Sequence, residues 1–244
     1  MKLYINGCSH TAAAEAVLPH AFAEDDGDYQ HLGRRPHPEN FKHSWATHVS
    51  QQLKTELICD AESAASNDRI LRTTRQWMAD HSHDLADTVV IIQWTTWERE
   101  EWLHEGIWYQ VNASGIDSVP PELQNRYREF VASVDWYTKT RQAHEKIWAL
   151  HQDLVSLGVR HVFFNGQSTF SELSLDEQHD WGVNFIEPYS IQHSYAAILR
   201  ENGYEFANPH TYHFGAAAHC FWAQYVLQYL DTHNILGHHA ISLD

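Results

Sequence analysis

The length, composition and charge of the chain exclude several classes of protein. It has 244 residues, of which 43% are hydrophobic and 13% aromatic, and its formal net charge is −16 with histidine neutral. Such a composition is typical of a folded globular protein with a substantial core. A nucleic-acid partner is not expected, because binding a phosphate backbone needs clustered Lys and Arg.

Short apolar runs predict the strands of a sheet. In chain order they span residues 2–6, 55–60, 88–94, 159–165 and, with a weaker pattern, 183–188. The runs 88–94 and 159–165 are continuous and rich in Val, Ile and Phe, as is typical of strands covered on both faces.

Helical patterns separate these runs. They cover the stripe from Phe41 to Leu53, a segment opened by the cap residues at 66–68, a long segment at 122–157, a segment at 190–203, and the last at 215–231. Gly158 and Gly203 are the expected C-terminal stops. The alternation predicts an α/β fold with a parallel sheet.

Two polar excursions, residues 18–43 and 103–121, interrupt the alternation. Because the rhythm of strand and helix resumes after each, we expect loops above the sheet within one domain, 1–244. The three scattered cysteines predict no disulfide framework. There is no run of about 18 apolar residues and no apolar signal core, so we expect no membrane partner and a cytoplasmic location.

Small polar residues follow the predicted strands, at the edge where parallel sheets bind ligands. Ser9 follows the first strand, and His210 and His213 precede the last helix. A serine hydroxyl needs a base to become a nucleophile, and the oxyanion formed by its attack needs fixed N–H donors. The pattern therefore favours acyl transfer, with candidate oxyanion or substrate contacts at Gly7, Ala65, Ser66, Asn67 and Thr95.

Four segments resemble the sequence blocks of the SGNH (GDSL-type) hydrolases. They are "INGCSHT" at the first block, "AASNDRI" at the second, "VVIIQWTTWERE" at the third and "HTYHFGAAAHCFWAQYV" at the last. The resemblance implies a three-layer sandwich with a mostly parallel, flavodoxin-like sheet. It also implies Ser9 as nucleophile, His213 as base and no cofactor. The combination is similar to that of proteins carried by bacteriophages, so virion association or release by lysis are further possibilities.

The chain departs from that pattern at three places. The last block of the family reads Asp-x-x-His, but His210 stands three residues before His213. His210, a backbone carbonyl or a carboxylate from elsewhere then has to orient the imidazole. Alanine (Ala64 or Ala65) replaces the second-block glycine, and the third-block Gly-x-Asn is absent, which leaves Asn67 as the candidate side-chain donor.

Other interpretations of the same residues remain open. Ser9 could cap a helix at 11–16, His213 could be a cap before the last helix, and Cys8 could be the nucleophile. His219 is expected to have a structural role. Arg99 lies in a charged run that is either a solvated face or a substrate contact. The aromatic cluster is either a lid packed on the core or a platform for a sugar or acyl chain; it comprises Trp94, Trp97, Trp102, Trp108 and Tyr109.

The expected function is that of an esterase or deacylase on a small-molecule or carbohydrate ester, above all an O-acetylated carbohydrate. One alternative is a catalytically degenerate SGNH fold that serves as a binding or structural module, for example in a phage particle. Another is a metal-dependent hydrolase that uses His10, His210 and His213. Because no zinc-binding motif accompanies the 20 histidines, no metal ligand is assigned.

Overall fold

A five-stranded parallel sheet forms the centre of the molecule. The computed structural model describes residues 1–23, 35–113, 115–116 and 119–237. Its strands are β1 (Lys2–Asn6), β2 (Glu56–Cys59), β3 (Thr88–Trp94), β4 (Glu100–His104), β5 (Ile107–Val111), β6 (Arg160–Asn165), β7 (Phe185–Ile186), β8 (Phe206–Asn208) and β9 (His213–Phe214). The central sheet has the order β2-β1-β3-β6-β7, with every neighbouring pair parallel. This is the flavodoxin-like order, and it confirms the expected α/β fold class.

Helices cover both faces of the sheet. They are α1 (Pro38–Phe41), α2 (Trp45–Leu53), α3 (Asn67–Asp80), α4 (Gln124–Ser133), α5 (Trp136–Ser156), α6 (Tyr195–Glu201) and α7 (Ala216–Thr232). The side chains of β3 alternate between two cores, because successive residues of a strand point to opposite faces. Val89 and Ile91 pack with α2, α6 and α7, whereas Val90 and Ile92 pack with α3 and α5. The result is a three-layer sandwich.

The first predicted excursion is only partly within the described residues. Its segment 24–34 lies outside them, and its end contains the short helix α1. Buried Asn40 on α1 accepts hydrogen bonds from the N–H groups of Val17 and Leu18 and donates to the carbonyls of Leu18 and His20. One side chain thus holds the backbone of residues 17–20 in place.

The second excursion contains an antiparallel hairpin, β4–β5, which the sequence analysis described only as a loop. Glu105 and Gly106 form its two-residue turn, both with positive φ, the backbone required by the turn that best matches strand twist. The hairpin is tied to α3 because Arg72 binds Glu101 through two hydrogen bonds of 2.7 Å. It therefore stands beside the N-terminus of α3.

The long helix expected at 122–157 is two helices. Val134 is extended, with φ −59° and ψ 114°, and Asp135 accepts a hydrogen bond of 2.8 Å from the N–H of Thr138 as the N-cap of α5. An N-cap aspartate favours the start of a new helix, and here it begins α5 directly after α4 ends. The apolar pattern runs through both helices and therefore does not reveal the break between them.

Within the part of the chain that the structure describes, no helix has the length and apolar character needed to cross a bilayer. All three cysteines are free thiols, in agreement with the expected lack of a disulfide framework.

Candidate active site

The turn after β1 is held by a buried glutamine. Gln93 on β3 accepts hydrogen bonds from Thr11 Oγ1 at 2.9 Å and from the N–H and thiol of Cys8 at 3.3 Å. A Cβ atom on Gly7 would lie 2.4 Å from Thr11 Oγ1, so the turn requires glycine there. Cys8 points at Gln93 and is 1% exposed, which excludes it as an accessible nucleophile.

Ser9 is positioned by this turn and is 8% exposed. Residues 9–15 form turns rather than a helix, and the carbonyl of Ser9 accepts a hydrogen bond of 2.9 Å from Ala14. The alternative interpretation of Ser9 as the cap of a helix at 11–16 is therefore excluded. The Ser9 hydroxyl makes no hydrogen bond to any described residue, His213 included. A catalytic hydrogen bond is often long or absent in a site without substrate.

His213 on β9 contacts a carboxylate from the other end of the chain. Its Nδ1 donates to Oε2 of Glu15, and both side chains are about one-tenth exposed. Glu15 also accepts hydrogen bonds from Thr211 Oγ1 and, at 2.8 Å, from Asn208 Nδ2. With Nδ1 donating, Nε2 is the basic nitrogen of the neutral ring. Nε2 makes no hydrogen bond within the described part of the chain.

Glu15, rather than His210, therefore orients the imidazole, which corrects the expectation for His210. The side chain of His210 is exposed, and its N–H donates to Asn208 Oδ1 at 3.0 Å. The sequence analysis missed Glu15, although it allowed for a carboxylate from elsewhere. A usable signal existed, because Glu15 is the only acidic residue among residues 1–23.

The backbone at this contact is strained on both sides. Glu15 has φ 61° and Tyr212, next to His213, has φ 62°, a region that costs a non-glycine residue about 1–2 kcal/mol. The carbonyl of Ala16 accepts a hydrogen bond of 3.1 Å from Ala216 at the start of α7. Strain of this kind persists where surrounding contacts fix it, and it is concentrated at functional sites.

The ring of His10 lies beside that of His213, with centroids 5.5 Å apart and an edge-to-face orientation. Its Nε2 accepts a hydrogen bond of 3.0 Å from Gln167 Nε2, so its Nδ1 carries the proton. Nδ1 is buried and has no partner among the described residues. Because His10 directly follows Ser9, the ring contact brings the first and last motifs of the sequence to one place.

Burial and charge set the protonation of the site. Burial lowers the pKa of His213, the Glu15 carboxylate raises it, and the Arg99 charge lowers it again, with a net decrease. Burial raises the pKa of Glu15, but hydrogen bonds from Thr211, His213 and Asn208 outweigh this effect and lower it. The pKa of His10 is well below its usual value because of burial first and then His213 and Arg99. At neutral pH the geometry thus holds a neutral imidazole next to a carboxylate, as a general base requires.

Several of the groups expected to contact the oxyanion or substrate make hydrogen bonds within the protein. The N–H groups of Gly7, Ala65 and Ser66 donate to Asn6 Oδ1, the Glu62 carbonyl and Gln110 Oε1, respectively. The amide of Asn67 donates to the carbonyls of Thr95 and Thr96, and its oxygen accepts from the Thr95 N–H at 2.9 Å. These hydrogen bonds support the backbone of the site, and the contacts of these residues with an oxyanion or substrate stay a prediction.

Backbone N–H groups without an acceptor among the described residues lie beside this support. Hydrogen bonds from Asp60 to Ile5 and from Glu62 to Gly7 continue the β1–β2 pairing beyond the strands and place Ala64 next to the turn of Ser9. The N–H groups of Ser9 and Ala64 have no acceptor among the described residues. Ala64 has φ 68°, the conformation that glycine adopts most easily.

His219 has the structural role expected for it. It is 1% exposed on α7, and its Nδ1 accepts a hydrogen bond of 3.3 Å from the N–H of Trp45, the first residue of α2. Burial lowers its pKa to about 3. His219 is thus a neutral acceptor that joins two helices.

The proposed metal ligands His10, His210 and His213 do not form a group. In the described ranges the group with metal-ligand spacing is His144, Glu145 and His179. The rings of His144 and His179 are stacked 4.7 Å apart at 5°, and His144 Nε2 is bonded to Tyr189 Oη at 2.9 Å. Since the lone pair of an imidazole lies in the plane of its ring, two stacked rings do not point at one ion.

The aromatic cluster after β3 packs on the core. Trp94, Trp97, Trp102 and Tyr109 are at most 6% exposed, and Trp97 stacks on Phe170 with centroids 4.6 Å apart. This favours the interpretation of a packed lid over that of a stacking platform. Trp97 still lines a cavity of about 220 Å³ that also contains Arg99.

Comparison with known proteins finds a family that this chain matches. A model described as a family of unknown function (DUF6071) matches residues 27–163, more than half of the chain. No curated protein matches. The matched segment contains Asn67 and Arg99, whereas Ser9, Glu15 and His213 lie on either side of it.

Proposed function

The chain belongs to the DUF6071 family, and we propose that it is a serine hydrolase that cleaves a carboxylic ester. The observation that carries the proposal is the contact between His213 Nδ1 and Glu15, beside the turn that presents Ser9. A histidine with a carboxylate on one nitrogen and a free second nitrogen is the base of a Ser-His-acid triad.

In the proposed reaction Ser9 Oγ attacks the ester carbonyl and His213 Nε2 takes the hydroxyl proton. Glu15 holds Nδ1–H and stabilises the imidazolium that forms. The oxyanion accepts hydrogen bonds from the backbone N–H groups of Ser9 and Ala64. His213 then protonates the leaving alcohol, and a water molecule activated by the same imidazole releases the acid from the acyl-serine. O-acetyl groups on carbohydrates are the substrates we propose.

Labelling with a fluorophosphonate tests the nucleophile directly. We expect the purified protein to be labelled at Ser9 and to hydrolyse 4-nitrophenyl acetate. Ser9→Ala should lose the label and at least about 10³-fold in kcat. Ser156→Ala, at an exposed position on α5, should keep both. Equal hydrolysis by Ser9→Ala and the parent protein would remove Ser9 from the mechanism.

A binding or structural module is the second candidate. It is favoured by the lack of a hydrogen bond between Ser9 and His213 and by the engagement of Asn67 with the backbone at 95–96. For this candidate we expect a protein whose circular dichroism shows that it is folded, but which neither reacts with the fluorophosphonate nor releases 4-nitrophenol.

A further inference from the structure

Arg99 differs from the arginines of the neighbouring helix in having no carboxylate partner within the part of the chain that the structure describes. Arg69, Arg72 and Arg75 on α3 each form an ion pair. Arg99 forms none with any described residue. Its one hydrogen bond joins Nη1 to the carbonyl of Ala65 at 3.3 Å, and its Nε is buried without an acceptor.

The position of Arg99 connects the catalytic groups with the cavity. Its Nη1 donates to the carbonyl of Ala65, the residue that directly follows Ala64. Its charge lowers the pKa of both His10 and His213, so the guanidinium lies within electrostatic reach of both rings. It also lines the cavity of about 220 Å³ together with Asn67, Leu71 and Trp97. A group bound to Arg99 would therefore lie next to the reacting ester.

The other cations of this cavity are neutralised. Lys146 pairs with Asp68 at 2.6 Å, and Lys139 pairs with Glu100. Arg99 is the remaining positive charge among the residues that line it. In a chain of net charge −16, an unpaired and partly buried cation is unfavourable unless an anion compensates it.

We propose that the ester substrate carries a carboxylate and that Arg99 binds it. This rests on the proposed esterase function and names the substrate class. With Nη1 on Ala65 and Nε buried, Nη2 is the guanidinium nitrogen left to donate hydrogen bonds to a carboxylate. A single unpaired charge matches a monovalent carboxylate rather than a divalent phosphate.

Matched esters test the proposal. The first pair is 4-carboxyphenyl acetate and its neutral amide, 4-carbamoylphenyl acetate, which differ in the alcohol part. The second pair is monophenyl adipate and the neutral phenyl ester in which a primary amide replaces the free carboxyl group. These two esters differ in the acyl part. We expect kcat/KM to favour the anionic ester of at least one pair by about tenfold or more. In Arg99→Gln this preference should vanish, because kcat/KM falls further for the anionic ester than for its neutral partner.

Three variants make the result specific. Arg99→Lys keeps the charge but not the planar guanidinium, and we expect it to restore only part of the preference. Arg75→Gln, at an exposed ion pair with Asp153, should leave the preference unchanged. A loss in Arg99→Gln that is equal for anionic and neutral esters would overturn the proposal, because Arg99 would then act on the oxyanion. Wild-type protein without a preference in either pair would overturn it too.

A binding measurement separates this proposal from the esterase function. Calorimetry with 4-hydroxybenzoate and with adipate should detect binding of at least one to wild-type protein and to Ser9→Ala, and to neither Arg99→Gln nor heat-denatured protein. Such binding without ester hydrolysis would refute the proposed reaction but support the carboxylate site. Hydrolysis of neutral esters without carboxylate binding would refute the site alone. Tighter binding of inorganic phosphate than of either carboxylate would also contradict it.

Discussion

Glu15 shows how a single residue completes the candidate site from an unexpected part of the chain. It lies in a turn six residues after Ser9, at a left-handed φ, and three hydrogen-bond donors converge on its carboxylate. Those donors come from β8, from the loop that follows it and from His213. The carboxylate is thus held in place before any substrate arrives, as positioning of a base requires.

Glu15→Gln tests this role. The amide cannot enforce the Nδ1–H tautomer of His213, so we expect kcat to fall by roughly 10²- to 10⁴-fold. Because the Glu15 carboxylate raises the pKa of His213, its loss should also move the acid limb of the pH profile of kcat/KM to lower pH. A merely structural contact would leave that limb in place. Glu39→Gln, an exposed partner of Lys42, is the control and should keep wild-type values.

The positions of Ser9 and His213 could be predicted from the sequence, whereas the direction of the Asn67 side chain could not. Ser9 and His213 follow and precede regular elements whose positions the apolar pattern predicts. Asn67 was expected to face substrate, but a side chain at a helix start binds whichever backbone groups the next loop presents. Those are the groups of Thr95 and Thr96. Side-chain direction depends on tertiary contacts that no local pattern contains.

Among the elements, the buried strands were predicted best. The predicted strand at 88–94 has the same bounds as β3. All seven residues of β3 are buried, and such a continuous apolar run is a clear signal in the sequence. The β4–β5 hairpin was missed because its turn is Glu105-Gly106 rather than Asn-Gly, and because Leu103 is exposed while Trp102 is buried within an acidic run. Its alternation is real but short.

The C-terminal ends of two helices give a matched stability test. Lys54 after α2 has φ 52° and is exposed. Gly158 after α5 has φ 66°, and an added Cβ would have no atom within 4 Å. We expect Lys54→Gly to raise the free energy of unfolding by about 0.5–1 kcal/mol. Gly158→Ala should lower it by about 1–2 kcal/mol.

Urea unfolding of the two variants measures both effects. Since neither position touches the site, ester hydrolysis should not change in either. A destabilised Lys54→Gly protein would show that the lysine side chain contributes more than its backbone costs.

On the scale of the whole molecule, buried neutral histidines connect stability with pH. Burial lowers the pKa of His219 to about 3 and of His144 and His161 to about 4, and that of His10 falls well below its usual value of 6.5. The unfolded chain binds these protons near pH 6.5 and the folded chain only at lower pH. The stability they contribute is therefore complete above pH 6.5 and is lost as pH falls toward the folded values.

We expect the free energy of unfolding to decrease between about pH 6.5 and 4.5 by roughly 1 kcal/mol per pH unit for each of these histidines. Urea titrations at several pH values measure the slope. His219→Asn, in which Oδ1 can replace Nδ1 as the acceptor for Trp45, should reduce the slope by about one proton. His193→Asn, at an exposed position, should not. A stability that is flat across this window would contradict the buried neutral state.

The contact between Glu15 and His213 joins positions that are 198 residues apart in the chain. Closing so long a loop has a larger entropic cost than forming a local helix or pairing strands that are close in the sequence. We therefore expect the contact between Glu15 and His213 to form late in folding, after the central sheet that supports both segments has been assembled.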